Sequence, residues 1–139
     1  MRTLILAAAV SALAVGVANA ETLKFSATLD GASEVPANTT TGKGQAMATL
    51  DTATKAFNYT VTYSGLTGDA TAAHFHGPAD PGANAGPVVP ITDLSSPMTG
   101  TATLTDAQIA DLKAGKWYVN VHTAAHRPGE IRGQVKAAP

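Results

Sequence analysis

The chain contains no cysteine. That excludes disulfides, thiolate zinc sites and the blue-copper type of centre, which needs a cysteine sulfur. It is equally short of clustered positive charge. Nine Lys and Arg stand against ten Asp and Glu, with no basic run, so nucleic acid is not an expected partner. Beyond residue 20 no segment is apolar for long enough to span a bilayer. Methionine is scarce too. Past residue 20 only Met47 and Met98 remain, too few for a carrier that grips cuprous ions through thioethers.

What is present begins with a leader. Arg2, the apolar stretch from Leu4 to Val17 and the Ala18-Asn19-Ala20 ending fit a secretory signal peptide over residues 1–20. Residues 21–139 are then expected as one exported domain, periplasmic or secreted, of a size that suits a single core.

Within that domain apolar and polar residues alternate in short runs. Leu23, Phe25, Ala27 and Leu29 form one set; Ala46, Ala48 and Leu50 a second; Phe57, Tyr59, Val61 and Tyr63 a third. Further strands are expected at 71–76, 100–104, 117–122 and 130–135. One helix interrupts them at about 105–114, with Thr105 and Gln108 spaced as a capping box and Gly115 as its left-handed stop. The pattern predicts an all-β fold, an antiparallel immunoglobulin-like or Greek-key sandwich or barrel with one short helix. Residues 77–90, with four prolines and three glycines, read as a long loop, a common location for function.

The four histidines fall in two clusters, His74-Phe75-His76 and His122-x-x-x-His126. In a strand, residues i and i+2 share a face about 6.6 Å apart, two rises of 3.3 Å. Phe75 is the natural core residue, so His74 and His76 point away from the core together. Trp117, Val119 and Val121 put Tyr118, Asn120 and His122 on the outer side, and Ile131 and Val135 put Arg132 and Gln134 there. The segments around His122 and Arg132 should pair as a hairpin. Should the two clusters meet, His74, His76, His122 and His126 would offer an all-imidazole metal site. Such a donor set suits Cu(II), with zinc as the alternative.

Together these segments resemble the chordin-domain (CHRD) family. The resemblance rests on Leu29-Asp-Gly-Ala-Ser-Glu-Val-Pro36, Ala73-His-Phe-His-Gly-Pro78, Gly86-Pro-Val-Val89, Leu104-Thr-Asp-Ala-Gln108, Tyr118-Val-Asn-Val-His-Thr123 and Gly129-Glu-Ile-Arg-Gly-Gln134. It implies an immunoglobulin-like or barrel-like β fold in secreted proteins. His126-Arg127-Pro128 departs from the family's Pro-Gly-Gly, which implies a different last loop. A looser likeness, of ligand type only, is to the copper site of copper superoxide dismutases. The leading expectation is an exported copper protein that dismutes superoxide, with Arg132 as a catalytic residue drawing the small anion in. Arg132 as a solvated strand residue, or as a partner for Glu130 or Asp93, is the competing assignment. The alternative function is a non-enzymatic envelope or extracellular module, with a structural metal or none and an unspecified protein partner. A zinc hydrolase would need a general base, and Glu34 and Glu130 are the only glutamates in these motifs.

Overall fold

A computed structural model describes Gly16 and residues 19–139; the leader expected over residues 1–20 lies almost wholly outside them. Among the described residues nine strands make one antiparallel sheet: β1 (Thr22–Asp30), β2 (Lys43–Asp51), β3 (Ala56–Ser64), β4 (Ala70–His76), β5 (Pro87–Ile91), β6 (Met98–Thr103), β7 (Tyr118–Thr123), β8 (Ile131–Gln134) and β9 (Lys136–Ala137). The order is β5-β4-β7-β8-β1-β2-β3-β6, with β9 added to β1. Its terminal strands β5 and β6 come together, so the sheet is nearly closed into a barrel. Of the two expected architectures, the barrel is the one found.

The core follows from strand alternation. Phe25, Ala27 and Leu29 of β1, Ala46, Ala48 and Leu50 of β2, and Phe57, Tyr59 and Val61 of β3 all turn inward. Phe75, Trp117, Val119, Val121 and Ile131 complete the far side of the core. Phe57 meets Phe75 and Trp117 edge-on, with centroids 5.2 and 5.6 Å away, the arrangement aromatic quadrupoles favour. The helix α1 (Asp106–Lys113) is fixed as its sequence requires. The Thr105 hydroxyl accepts from the Gln108 backbone and the Gln108 side chain accepts from the Thr105 backbone. Leu112 is its buried anchor, and Gly115 past its end has φ +73°.

One expectation is corrected here. The loop read as 77–90 stops at residue 86, because Pro87–Ile91 pairs with β4 as β5. Two prolines disguise this strand. Pro87 opens it and Pro90 lies within it, and both are tolerated because β5 is an edge of the sheet and need not donate on both sides.

Candidate metal centre

The site is built on the outer face of β4, β7 and β8. β4 pairs with β7 so that Ala72 faces His122, His74 faces Asn120 and His76 faces Tyr118. β8 brings Arg132 opposite Asn120 and Gln134 opposite Tyr118. Alternation therefore gathers His74, His76, Tyr118, Asn120, His122, Arg132 and Gln134 on one surface, as their spacing predicts.

This outer surface is not solvent-facing. Asn120 and Arg132 are 3 % and 2 % exposed, because two loops lie over the sheet. The loop of residues 77–86 is tied down along its length. Gln134 donates to Ala79 O at 2.9 Å, Arg132 donates to Asn84 Oδ1 at 2.9 Å and to Ala83 O, and Tyr118 Oη bonds Ala85 at 3.1 Å through both N and O. The preceding loop, with Glu34 buried inside it, is joined to this one by Asn84 donating to Val35 O.

His74, His76 and His122 converge. One ring nitrogen from each lies within 4.8 Å of the others, close enough to hold a metal ion, and this is the one such group among the described residues. The hydrogen bonding of the rings prepares them as ligands. His122 Nδ1 is 2.7 Å from Arg127 O and His76 Nδ1 is 2.9 Å from Ala85 O. A carbonyl oxygen only accepts, so both Nδ1 atoms carry the proton, which fixes the orientation as second-shell bonds do at metal sites. His122 Nε2 and His74 Nδ1 are then buried with no hydrogen-bond partner. Leaving such a polar atom bare costs about 1–3 kcal/mol. With its proton on Nδ1, His122 Nε2 is a free lone pair, and the bare nitrogens of the cluster are compatible with a metal ion between the rings.

At His74 and His76 the electrostatics favour the neutral ring. Burial, then the neighbouring charge of His76 and His122, holds His74 below the ordinary imidazole range. His76 is also lowered, first by burial; its bonds to Ala85 and Asn120 oppose this, and His122 and Arg132 reinforce it. Neutral imidazole is the form that binds metal.

His126 is not part of the group. It occupies the turn between β7 and β8, where its backbone bonds Thr123 in both directions and accepts from Gly129 N. The four-imidazole expectation therefore narrows to three, because the chain leaves the strand at Thr123 and the alternation that aims His122 does not extend to residue 126. Arg132 lies on the expected face in neither of the settings weighed against a catalytic role. It is buried rather than solvated, and its bonds go to Asn84 and Ala83 rather than to Glu130 or Asp93. Its guanidinium lies 3.5 Å above the Tyr118 ring centroid, and that ring stacks on His76 at 4.7 Å with planes 2° apart.

Two glutamates went unplaced by sequence reasoning. Glu130 is fully buried and accepts from Thr40 Oγ1 (2.6 Å), Thr67 N and Oγ1 (2.9 and 2.8 Å) and Thr123 Oγ1 (2.6 Å). Burial pushes it up, but the threonine donors outweigh burial and hold it at about 2. It is a structural knot, not a base. Glu34 is the reverse. Its Oε1 has no partner, and burial, only partly offset by bonds to Val35 and Asn120 and by Arg132, raises it to about 7. Asn120 was passed over because a lone Asn in a strand carries no sequence signal; only its opposing residues reveal it.

The chain matches the CHRD domain model over residues 25–135, so it belongs to the CHRD domain family. No curated protein sequence and no solved structure matches it significantly.

Proposed function

We propose that this domain is an exported copper protein whose ion is held by His74, His76 and His122 and which removes superoxide. The observation that carries the reading is the pair of buried, unpartnered ring nitrogens on His74 and His122, two of the three imidazoles close enough to hold one ion. Three imidazoles without thiolate suit Cu(II) better than structural zinc. Bound copper would supply one-electron chemistry, through which two superoxide anions and two protons become dioxygen and hydrogen peroxide.

The chain's own residues would do the rest. Ala85 O and Arg127 O orient two imidazoles through their Nδ1 protons. Arg132 places a fixed positive charge behind Tyr118 and His76, favouring approach of a small anion. Half-exposed His74 and His122 leave the side away from the roof open to a diatomic molecule.

A second reading is a non-catalytic extracellular or envelope module whose ion, if any, is structural. It is favoured by one observation: Arg132 spends its hydrogen bonds on the roof loop. Copper titration of the purified protein, with electron spin resonance, tests the metal. One Cu(II) per chain with nitrogen couplings is expected. Pulse-radiolysis decay of superoxide, with free copper chelated, tests the activity. Copper loading without faster decay than in the metal-free protein would leave the second reading standing.

A further inference from the structure

We propose that Asn120 is a fourth ligand of the same ion, giving its amide oxygen beside the imidazoles of His74, His76 and His122. The inference rests on the copper reading and extends it to a residue outside the histidine motifs. Asn120 sits at the centre of the face, opposite His74 on one strand and Arg132 on the other, and two residues before His122.

Its Oδ1 lies 3.0 Å from His76 Nε2. His76 Nδ1 is committed to Ala85 O, so Nε2 is the nitrogen left for an ion. With a second proton on Nε2, in the imidazolium, the 3.0 Å separation is an ordinary hydrogen bond; in the neutral ring, whose proton is on Nδ1, Nε2 is a lone pair facing the amide oxygen. With an ion there instead, bonds of about 2.0–2.2 Å from nitrogen and oxygen at a right angle put those two atoms about 3 Å apart. A tetrahedral angle would need about 3.4 Å from the same bond lengths. The 3.0 Å spacing thus lets both atoms reach one ion with little movement. The proton and the metal compete for one place, and Asn120 Oδ1 is a partner for either.

The amide is held with its oxygen facing the histidines. Behind it lies the Glu34 carboxyl: Glu34 Oε1 and Asn120 Nδ2 both border Gly129. Gly129 makes this approach possible: a Cβ there would lie 2.1 Å from Glu34 Oε1 and 2.8 Å from Asn120 Nδ2, and its φ of +134° suits glycine. A carboxyl group can engage the amide N–H, which leaves Oδ1 for the ligand side. With His126 outside the group, Asn120 is the polar side chain already within bonding reach of a ligand nitrogen.

Asn120→Leu and Asn120→Asp variants of the whole domain, loaded with Cu(II), test this. Leu keeps the approximate size without the oxygen; Asp keeps an oxygen and adds charge. Affinity would be read by competition with a chelator, and the ligand set by frozen-solution spin resonance. Asn120→Leu should bind tenfold to a hundredfold more weakly, with shifted g and copper hyperfine values and nitrogen couplings retained. Asn120→Asp should bind at least as tightly as wild type, also with a shifted spectrum. Should Asn120→Leu fail to fold, the Asp spectrum alone decides: superposition on wild type overturns the assignment. Unchanged or tighter binding by Asn120→Leu with a wild-type spectrum also overturns it, because Asn120 would then only compete for the His76 proton. A wild-type protein that takes no copper overturns the metal reading itself, and this inference with it.

Discussion

The barrel has two outer faces written in the same alternating code, and they have opposite fates. On β1, β2 and β3 the outward residues Lys24, Ser26, Thr28, Gln45, Met47, Asn58, Thr60 and Thr62 are exposed, Met47 to 68 %. On β4, β7 and β8 the outward residues His76, Tyr118, Asn120 and Arg132 are buried. The difference lies not in the strands but in what covers them. Residues 77–86 and the loop carrying Glu34 fold over the second face and bond to it, and nothing comparable among the described residues crosses the first. Covering a polar face has a cost unless each group finds a partner. The groups on this side that do not find one are His74 Nδ1, His122 Nε2, Glu34 Oε1 and Gln134 Oε1, and the two histidine nitrogens among them mark where function is expected.

The contrast can be broken most severely by removing the imidazoles. The His74→Ala/His122→Ala double variant should lose Cu(II) binding by a thousandfold or more while far-UV circular dichroism of the metal-free protein stays native. Wild-type stoichiometry in that variant would refute the site. Glu130→Ala comes next. It strands four donors that now end on one carboxylate, so a loss of about 3 kcal/mol in stability is expected. Chemical denaturation would measure it, and a change under 1 kcal/mol would contradict the role given to that carboxylate.

The two buried glutamates then make opposite demands on pH. Glu34 holds its proton up to about 7 in the fold but only to about 4.5 when unfolded. Its contribution is full below pH 4.5 and is lost as pH rises through 7. Glu130, held at about 2, contributes fully above pH 4.5 and loses this as pH falls toward 2. Between pH 4.5 and 7 Glu34 should therefore subtract on the order of 2 kcal/mol from the metal-free protein after screening, against the gain from His74 and His76, which are lowered in the fold and favour it as pH rises toward 6.5. Glu34→Gln should remove the loss and leave the histidine gain. Equal slopes in both proteins, from denaturation across this range, would remove Glu34 as the cause.

A smaller effect is expected from Arg132→Lys. The charge is kept but the flat stacking on Tyr118 and the fork to Ala83 and Asn84 are lost. Copper content should hold while the superoxide rate falls a fewfold, less so at high salt. Least of all should follow from the exposed face. Thr60→Val or Met47→Thr should stay within about 0.5 kcal/mol of wild type and leave copper affinity untouched. A marked loss of affinity there would mean the two faces are coupled through the barrel.

Strand alternation made the β class, seven of the nine strands in outline (all but β5, hidden by its prolines, and the two-residue β9), and the capped helix legible from the residues themselves. It also put His74, His76, His122 and Arg132 on a common face, because side-chain direction in a strand is a local property of period two. Sequence could not determine that this face is roofed. Burial of Arg132 and Asn120 depends on where residues 77–86 settle, and that is decided by bonds to residues up to 55 positions away. Nor could it tell that His126, in a turn outside strand periodicity, stays out of the three-histidine group, or find β5 behind its prolines. The raised Glu34, the pinned Glu130 and the amide of Asn120 beside His76 have the same origin. Each is a property of neighbours brought together by pairing and loop closure, and spacing along the chain carries no trace of it.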